Sequence, residues 1–173
     1  MFPQWLAGQR ITAAGLMADR MRLVEQTADQ TVASTTYANS EISFVPVAGA
    51  TYWYTLLISY SAHEAADFRW RWDAPGATFA SFTQARHTDA TGTFNAAASV
   101  IFRRPSNSTD RIAGGGGTDV PLGSFFSAYD QGTVTADTTA AITMQFSQVT
   151  AHAVGTILRG GTTQTRLLYQ RIT

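Results

Sequence analysis

The sequence predicts an all-β fold, an antiparallel sandwich of about ten strands preceded by a short N-terminal α-helix. Segments rich in β-branched and aromatic residues follow one another from residue 31 to residue 172, with turn residues between them. Several of these segments alternate apolar and polar side chains with a period of two. A helical period occurs only before residue 30, so the body of the chain is expected to consist of strands.

The helix is predicted from the spacing of small and apolar residues between about Thr12 and about Asp29, with Thr12 as its N-cap. A stripe this short is marginal as an isolated helix, so we expect it to pair with the same helix of another subunit or with a groove in a partner protein. The alternative is that it packs on its own β-domain. We divide the chain into an attachment or oligomerisation arm, residues 1–30, and a β-sandwich domain, residues 31–173. The predicted stripe consists of Ala14, Met17, Met21, Val24 and Ala28.

Ten segments have the composition of strands. The clearest alternation places Phe68, Trp70 and Trp72 on one face of their strand and charged residues on the other, which predicts one buried and one solvated face. The same rule places Ile142, Met144 and Phe146 in the core. The predicted strands span residues 31–37, 41–47, 51–60, 67–74, 77–84, 93–104, 124–131, 140–149, 153–159 and 164–172.

The longest break between predicted strands spans residues 106–123 and contains four consecutive glycines, Gly114 to Gly117. This composition predicts an exposed, mobile loop. A phosphate-binding loop would need Gly-Lys-Ser/Thr leading into a helix, and this segment has no such continuation.

The charge balance and composition argue against several classes of function. Twelve basic residues, all of them arginine, are matched by twelve acidic ones, so we expect neither nucleic acid nor an anionic membrane surface as a partner. The chain has no cysteine, which excludes disulfides, cysteine-based zinc sites and thiol nucleophiles. The first residues lack a secretory signal pattern, and we expect a soluble protein made in a cytoplasm.

No constellation of residues predicts catalysis, a metal site or a cofactor. His63, His87 and His152 are far apart and lack the spacing of metal ligands. His87 and Asp89 come closest to a base with an orienting carboxylate, but no serine lies in a nucleophile elbow. We therefore expect a protein that is not an enzyme.

Three tryptophans could bind a flat ligand if they faced solvent. Trp53, Trp70 and Trp72 would then stack a sugar or a base, but on alternating strands core burial is the favoured interpretation. A module that binds carbohydrate is kept as an alternative function.

The segment WLAGQRITAAGL, residues 5–16, resembles an N-terminal pattern of small structural proteins of tailed bacteriophages: aromatic-x-Ala-Gly-x-x-aliphatic-Thr-Ala-x-x-Leu. The asparagine that usually follows the leucine is absent here. Further segments resemble a pattern found in phages of high-GC actinobacterial hosts. These are residues 44–52, 56–61, 65–70, 73–77, 144–148 and 154–161.

This resemblance implies a virion structural protein with a jelly-roll domain, compatible with a TNF/C1q-like homotrimer, fixed to the particle by its N-terminal segment. It implies a capsid decoration or head-surface protein on the virion surface, with a tail-associated tip or fibre protein as the alternative. The implied partners are further copies of the chain, the major capsid protein or other virion proteins, and in the alternative a host-surface glycan. The expected interface residues are Trp5, Leu6, Ile11, Ala14, Met17, Met21 and Val24.

Overall fold

The computed structural model describes residues 20–85, 101–104, 110–116 and 125–173, and the fold below refers to these residues. They form twelve β-strands and one 3₁₀ turn at Gly161–Thr163. The strands are β1 (Arg22–Glu25), β2 (Gln30–Val32), β3 (Ala38–Phe44), β4 (Ala50–Ser61), β5 (Phe68–Asp73), β6 (Ala77–Ala85), β7 (Ile101–Arg103), β8 (Arg111–Ala113), β9 (Phe126–Ala136), β10 (Ile142–Ser147), β11 (Thr156–Leu158) and β12 (Arg166–Arg171).

The strands form two antiparallel sheets. The larger has eight strands in the order β1-β12-β4-β9-β6-β7, and β11 joins it by pairing with both β4 and β2. The smaller has four strands in the order β3-β10-β5-β8. Side chains from both sheets form one hydrophobic core, which confirms the predicted all-β class and fits a sandwich.

Alternation along the strands determines which residues reach this core. Trp70 and Phe68 are fully buried and Trp72 nearly so, as their spacing predicts. The core prediction is wrong for Trp53, which is 37% exposed. Its neighbours on β4, Tyr52 and Tyr54, point inward. Because side chains alternate along a strand, Trp53 points outward.

The helix predicted between Thr12 and Asp29 is wrong over its second half. Residues Arg22–Glu25 form β1, which pairs antiparallel with β12, so their backbone groups bond across the sheet instead of within a helix. Val24 lies opposite Leu167 in this pairing and packs against the core. Residues 12–19 lie outside the described residues, and β1 precedes the domain boundary predicted at residue 30.

The prediction of an exposed glycine-rich loop is also wrong for its described part, residues 110–116. Arg111–Ala113 forms β8, and Gly114, Gly115 and Gly116 are buried. The Tyr60 hydroxyl donates to the carbonyl oxygen of Gly114 at 2.8 Å, and the Gly116 N–H donates to the carbonyl of residue 62 at 3.0 Å. The backbone can come this close because glycine has no side chain.

An ion pair ties the connection between β1 and β2 to the end of β11. Nη1 of Arg159 lies 2.7 Å from Oδ2 of Asp29, and the Gly160 N–H donates to Oδ1 of Asp29 at 2.8 Å. Burial acts to raise the pKa of Asp29, but the hydrogen bonds from Gly160 and Arg159 outweigh it and hold the pKa below its ordinary value of 3.8.

Asp29 should therefore make the stability of the fold sensitive to acid. A lowered pKa in the folded state contributes stability above the unfolded pKa, and this is lost as pH falls through the folded value. In urea unfolding from pH 7 to pH 2.5, the advantage of the wild type over Asp29→Asn should shrink below about pH 4. An advantage that stays constant across this range would show that the carboxylate charge is not what stabilises the connection.

Candidate functional site

The surface with the most distinctive composition is the outer face of the eight-stranded sheet. We define this outer face as the residues of β1, β12, β4, β9 and β6 that point away from the core. On β4, Leu56 and Ile58 are buried, so Leu57 between them points outward. The central members of the outer face are Leu23, Leu168, Trp53, Thr55, Leu57, Tyr129, Gln131, Thr133, Ala80 and Phe82.

The strand register aligns these side chains in rows across the sheet. In one row, Leu23 lies opposite Leu168, which lies opposite Thr55; Thr55 in turn lies opposite Gln131, and Gln131 opposite Phe82. This row crosses five strands that are far apart in the sequence. The row is therefore apolar at both ends and polar but uncharged in the middle, where Thr55 and Gln131 lie.

Large apolar side chains on this face are accessible to solvent. Leu23 is 52% exposed, Tyr129 43%, Phe82 41% and Trp53 37%. Single exposed apolar residues are ordinary, but several on one sheet face are typical of an interaction site.

The centre of the outer face carries no charge. None of the outward-pointing residues of β4, β9 and β6 is charged. Glu25 and Arg166, on β1 and β12, pair with each other at 3.3 Å. Arg104, which follows β7 at the other edge, lies over the ring of Phe82 at 4.2 Å. Interface centres in protein complexes are depleted of charge in the same way.

The outer face of the four-stranded sheet has the opposite character. Nε of Arg69 donates to Oγ of Ser147, and Nε of Arg71 donates to Oε1 of Gln145, both at 2.8 Å. Arg71 also lies 4.1 Å from the ring centre of Tyr37. These polar groups hydrogen-bond to one another in a half-buried layer, so the outer side of this sheet is polar.

A buried polar network lies between the two sheets. Nε of Arg111 lies 2.8 Å from Oδ2 of Asp130, and both side chains are fully buried. Oδ2 of Asp130 also accepts from Nε1 of Trp72 at 2.9 Å, and Oδ1 accepts from the hydroxyl of Tyr54 at 3.1 Å. Burial raises the pKa of Asp130, and Arg111 and the hydrogen bonds act in the opposite direction. Sequence spacing contains no signal for this network, because its members come from different strands.

Two histidines that are distant in the sequence meet in the fold. The rings of His63 and His152 stack with their centres 4.0 Å apart. The N–H groups of Ala65 and Val154 donate to the Nδ1 atoms of His63 and His152, at 3.0 and 3.2 Å. Sequence analysis did not anticipate this contact. His87 and Asp89, which the sequence analysis considered and did not favour as a base and its orienting carboxylate, lie outside the described residues.

Neither a metal cluster nor a membrane-spanning helix occurs within the described ranges. There, no group of three or more His, Cys, Asp or Glu side chains is placed to hold a metal ion. No helix in the same ranges is long and apolar enough to cross a membrane.

The predicted interface residues fall into two groups. Met21 is 53% exposed just before β1, and Val24 lies within β1 with its side chain toward the core. The interface role of both stays a prediction. The other predicted interface residues lie outside the described residues: Trp5, Leu6, Ile11, Ala14 and Met17.

Comparisons with known proteins give little guidance. No family model matches the chain, and no curated protein matches it. Among solved structures, it is similar to the D431N mutant VP2 protein of infectious bursal disease virus in derived T=1 particles, with a TM-score of 0.22 and 11% identity over 88% of this chain and 36% of that chain. It is also similar to the VP2 subviral particle of the same virus, with a TM-score of 0.20 and 11% identity over 89% of this chain and 37% of that one. The chain thus spans little more than a third of these proteins, and TM-scores this low do not establish a shared fold.

Proposed function

We propose that this protein is a non-enzymatic structural protein of a tailed-bacteriophage virion, which assembles into a homotrimer through the outer face of its eight-stranded sheet. Its N-terminal segment attaches it to the major capsid protein or another virion protein, and it serves as a capsid decoration or head-surface protein. The observation that carries the proposal is the outer face itself, with exposed apolar side chains at its centre and no charge among them.

The size of the outer face suits a contact between subunits. Its longest strand, β4, has 12 residues, and β1 at the edge has 4. With strands spaced ~4.8 Å apart and a rise of ~3.3 Å per residue, the five strands cover roughly 700 Å². A standard stable interface uses about 800 Å² from each partner, so the face can supply most of one of the two contacts that each subunit of a trimer makes.

The order of the strands supports the jelly-roll part of the proposal. Without β2, β6, β7 and β11, the sheets reduce to β1-β12-β4-β9 and β3-β10-β5-β8. The remaining eight strands then alternate between the two sheets along the chain, except that β5 and β8 follow each other in the smaller sheet. A double-sheet jelly roll of eight strands has this arrangement, and viral capsid proteins use it, although a fold alone does not define a function.

Light scattering coupled to size-exclusion chromatography tests the assembly. The wild type should elute near three times the chain mass of 18.7 kDa. Trp53→Glu and Phe82→Glu should elute as monomers with unchanged circular dichroism, because each places a charge at the centre of an apolar contact. The control, Thr36→Glu, adds the same charge at an exposed turn and should remain assembled. A monomeric wild type would contradict the proposed assembly.

The position on the particle needs a separate experiment. Antibody against the protein should label the head in negative-stain micrographs of the phage. Labelling of the tail would instead support the alternative, a tail-associated tip or fibre protein, and absence of label from the particle would contradict the virion role.

The exposed rings of Trp53 and Tyr129 also favour a second candidate function, binding of a host-surface glycan. Flat aromatic rings on an accessible sheet can stack against sugar rings. Trp70 cannot do so, since it is fully buried. Binding on a glycan array that disappears in Trp53→Ala, together with a monomeric wild type, would favour this alternative over assembly.

A further inference from the structure

A concave site lies at the β1 edge of the larger sheet and is separate from the outer face. It encloses a cavity of about 140 Å³. We call it the arginine pocket. Its lining residues are Arg20, Arg22, Arg171, Val45, Val47, Tyr52 and Tyr169.

The described charged residues that line the arginine pocket are all basic. Three arginines line it, and none of its described lining residues is acidic. Within the described ranges, neither Arg22 nor Arg171 has a carboxylate at ion-pair distance, whereas Arg69, Arg111, Arg159 and Arg166 all have one. An anion entering the pocket would therefore meet the guanidinium groups of Arg22 and Arg171, neither of which forms an ion pair with a described acidic side chain.

The backbone sets the positions of two of these arginines. Arg22 lies opposite Tyr169 in the β1–β12 pairing, and Arg171 lies opposite Tyr52 in the β12–β4 pairing. Both therefore belong to the inward-facing rows of the sheet, at the edge where those rows reach the surface. Strand pairing holds the two side chains on the same side of neighbouring strands.

Aromatic and aliphatic side chains form the rest of the pocket lining. The ring of Tyr169 stacks on Phe44 at 4.3 Å, and the ring of Tyr52 packs edge-on against Phe44 at 5.4 Å. The hydroxyl of Tyr52 accepts from the Val47 N–H at 2.8 Å, which fixes the rim. On that rim, Val45 is 68% exposed and Val47 53%.

We propose that the arginine pocket binds a carboxylate side chain of an acidic, extended peptide segment in a partner protein. Arginine forks bind carboxylates through paired charge-assisted hydrogen bonds. The exposed valines on the rim can contact apolar side chains of a peptide. Inorganic phosphate has no apolar group that could make this contact. The inference rests on the proposed function, since a virion partner is the expected source of the segment.

Isothermal titration calorimetry and ¹⁵N NMR of the full chain test this inference. The probe is the acetylated and amidated peptide Glu-Leu-Glu, and the comparison probes are Gln-Leu-Gln and inorganic phosphate. We expect saturable binding of Glu-Leu-Glu, with shifts at the pocket residues and an affinity that falls as salt rises. Arg22→Gln and Arg171→Gln should each bind about tenfold more weakly.

Arg104→Gln is the matched control, since it removes the same charge at the opposite edge of the sheet. It should bind Glu-Leu-Glu as the wild type does, and all variants should keep the wild-type circular dichroism. Absence of saturable binding, equal binding of Gln-Leu-Gln, or an equal loss in Arg104→Gln would overturn the inference. Phosphate binding as tight as that of the peptide would replace it with a small-anion site.

The titration and the light-scattering experiment can fail independently. Light scattering measures contacts of the outer face, whereas the titration measures the arginine pocket. A monomeric protein that binds Glu-Leu-Glu would support the arginine pocket and contradict the proposed trimer. A trimer that does not bind the peptide would support the assembly and contradict the pocket.

Discussion

Arg111→Met is expected to lose about 3–5 kcal/mol of unfolding free energy, because it leaves the carboxylate of Asp130 buried without its counter-charge. Both side chains are fully buried, and Nε of Arg111 lies 2.8 Å from Oδ2 of Asp130. The donors that remain, Trp72, Tyr54 and Ser81, are neutral and cannot balance a full negative charge. Urea unfolding at pH 7 measures the loss.

The double variant Arg111→Met/Asp130→Asn serves as the matched comparison. It removes both charges, and the side-chain amide that replaces the carboxylate still has an oxygen that accepts hydrogen bonds. We therefore expect the double variant to be more stable than Arg111→Met alone. Stability losses that simply add would contradict a coupled pair.

The loss in Arg111→Met should also depend on pH. Burial raises the pKa of Asp130 in the folded state, so the folded form binds a proton more readily than the unfolded one. The stability gained from this proton binding is fully present below the pKa of Asp130 in the unfolded state. It is lost as pH rises through the pKa of Asp130 in the folded state. The variant should therefore recover part of its stability as pH falls toward about 4. A loss that is independent of pH would argue against an ionised Asp130 as its cause.

Gly115→Ala is expected to lose about 3 kcal/mol or more, at the upper end of overpacking costs. A Cβ atom at this position would lie 2.1 Å from the carbonyl oxygen of His63 and 2.8 Å from that of Ala62. These are backbone atoms at the end of β4, and they cannot rotate away. The Gly115 N–H also donates to Oδ1 of Asp67 at 2.8 Å, so a shift of the chain would break this bond as well.

Gly49→Ala is the control for Gly115→Ala. An added Cβ at Gly49 meets nothing within 4 Å, and only the positive φ of 79° opposes alanine there. We expect a loss of about 1 kcal/mol, the usual cost of a left-handed conformation without glycine. Thermal unfolding of both variants should separate them clearly. Similar midpoints would indicate that residues 114–116 can move away from β4.

The strands that sequence analysis located best are those with strict alternation or long β-branched runs. Residues 51–60 and 67–74 correspond to β4 and β5 within one residue at each end. Residues 31–37 were wrong as one strand, because β2 ends at Val32 and β3 begins at Ala38. β1 and β8 were missed, since strands of four and three residues are too short for a period to be recognised.

The sequence by itself determined the all-β class, most strands, and the burial of Trp70, Trp72, Ile142 and Met144, because alternation with a period of two is a local property of the chain. Only the tertiary structure decided which residues of different strands become neighbours. The charge-free row from Leu23 to Phe82 needs five strands in one register, and the Arg111–Asp130 pair needs both sheets. The burial of Gly114 to Gly116 likewise depends on their contact with the end of β4. Neither the sequence pattern nor the composition indicates that β4 lies beside them. Such arrangements follow from long-range pairing, which brings together residues whose spacing in the chain carries no signal.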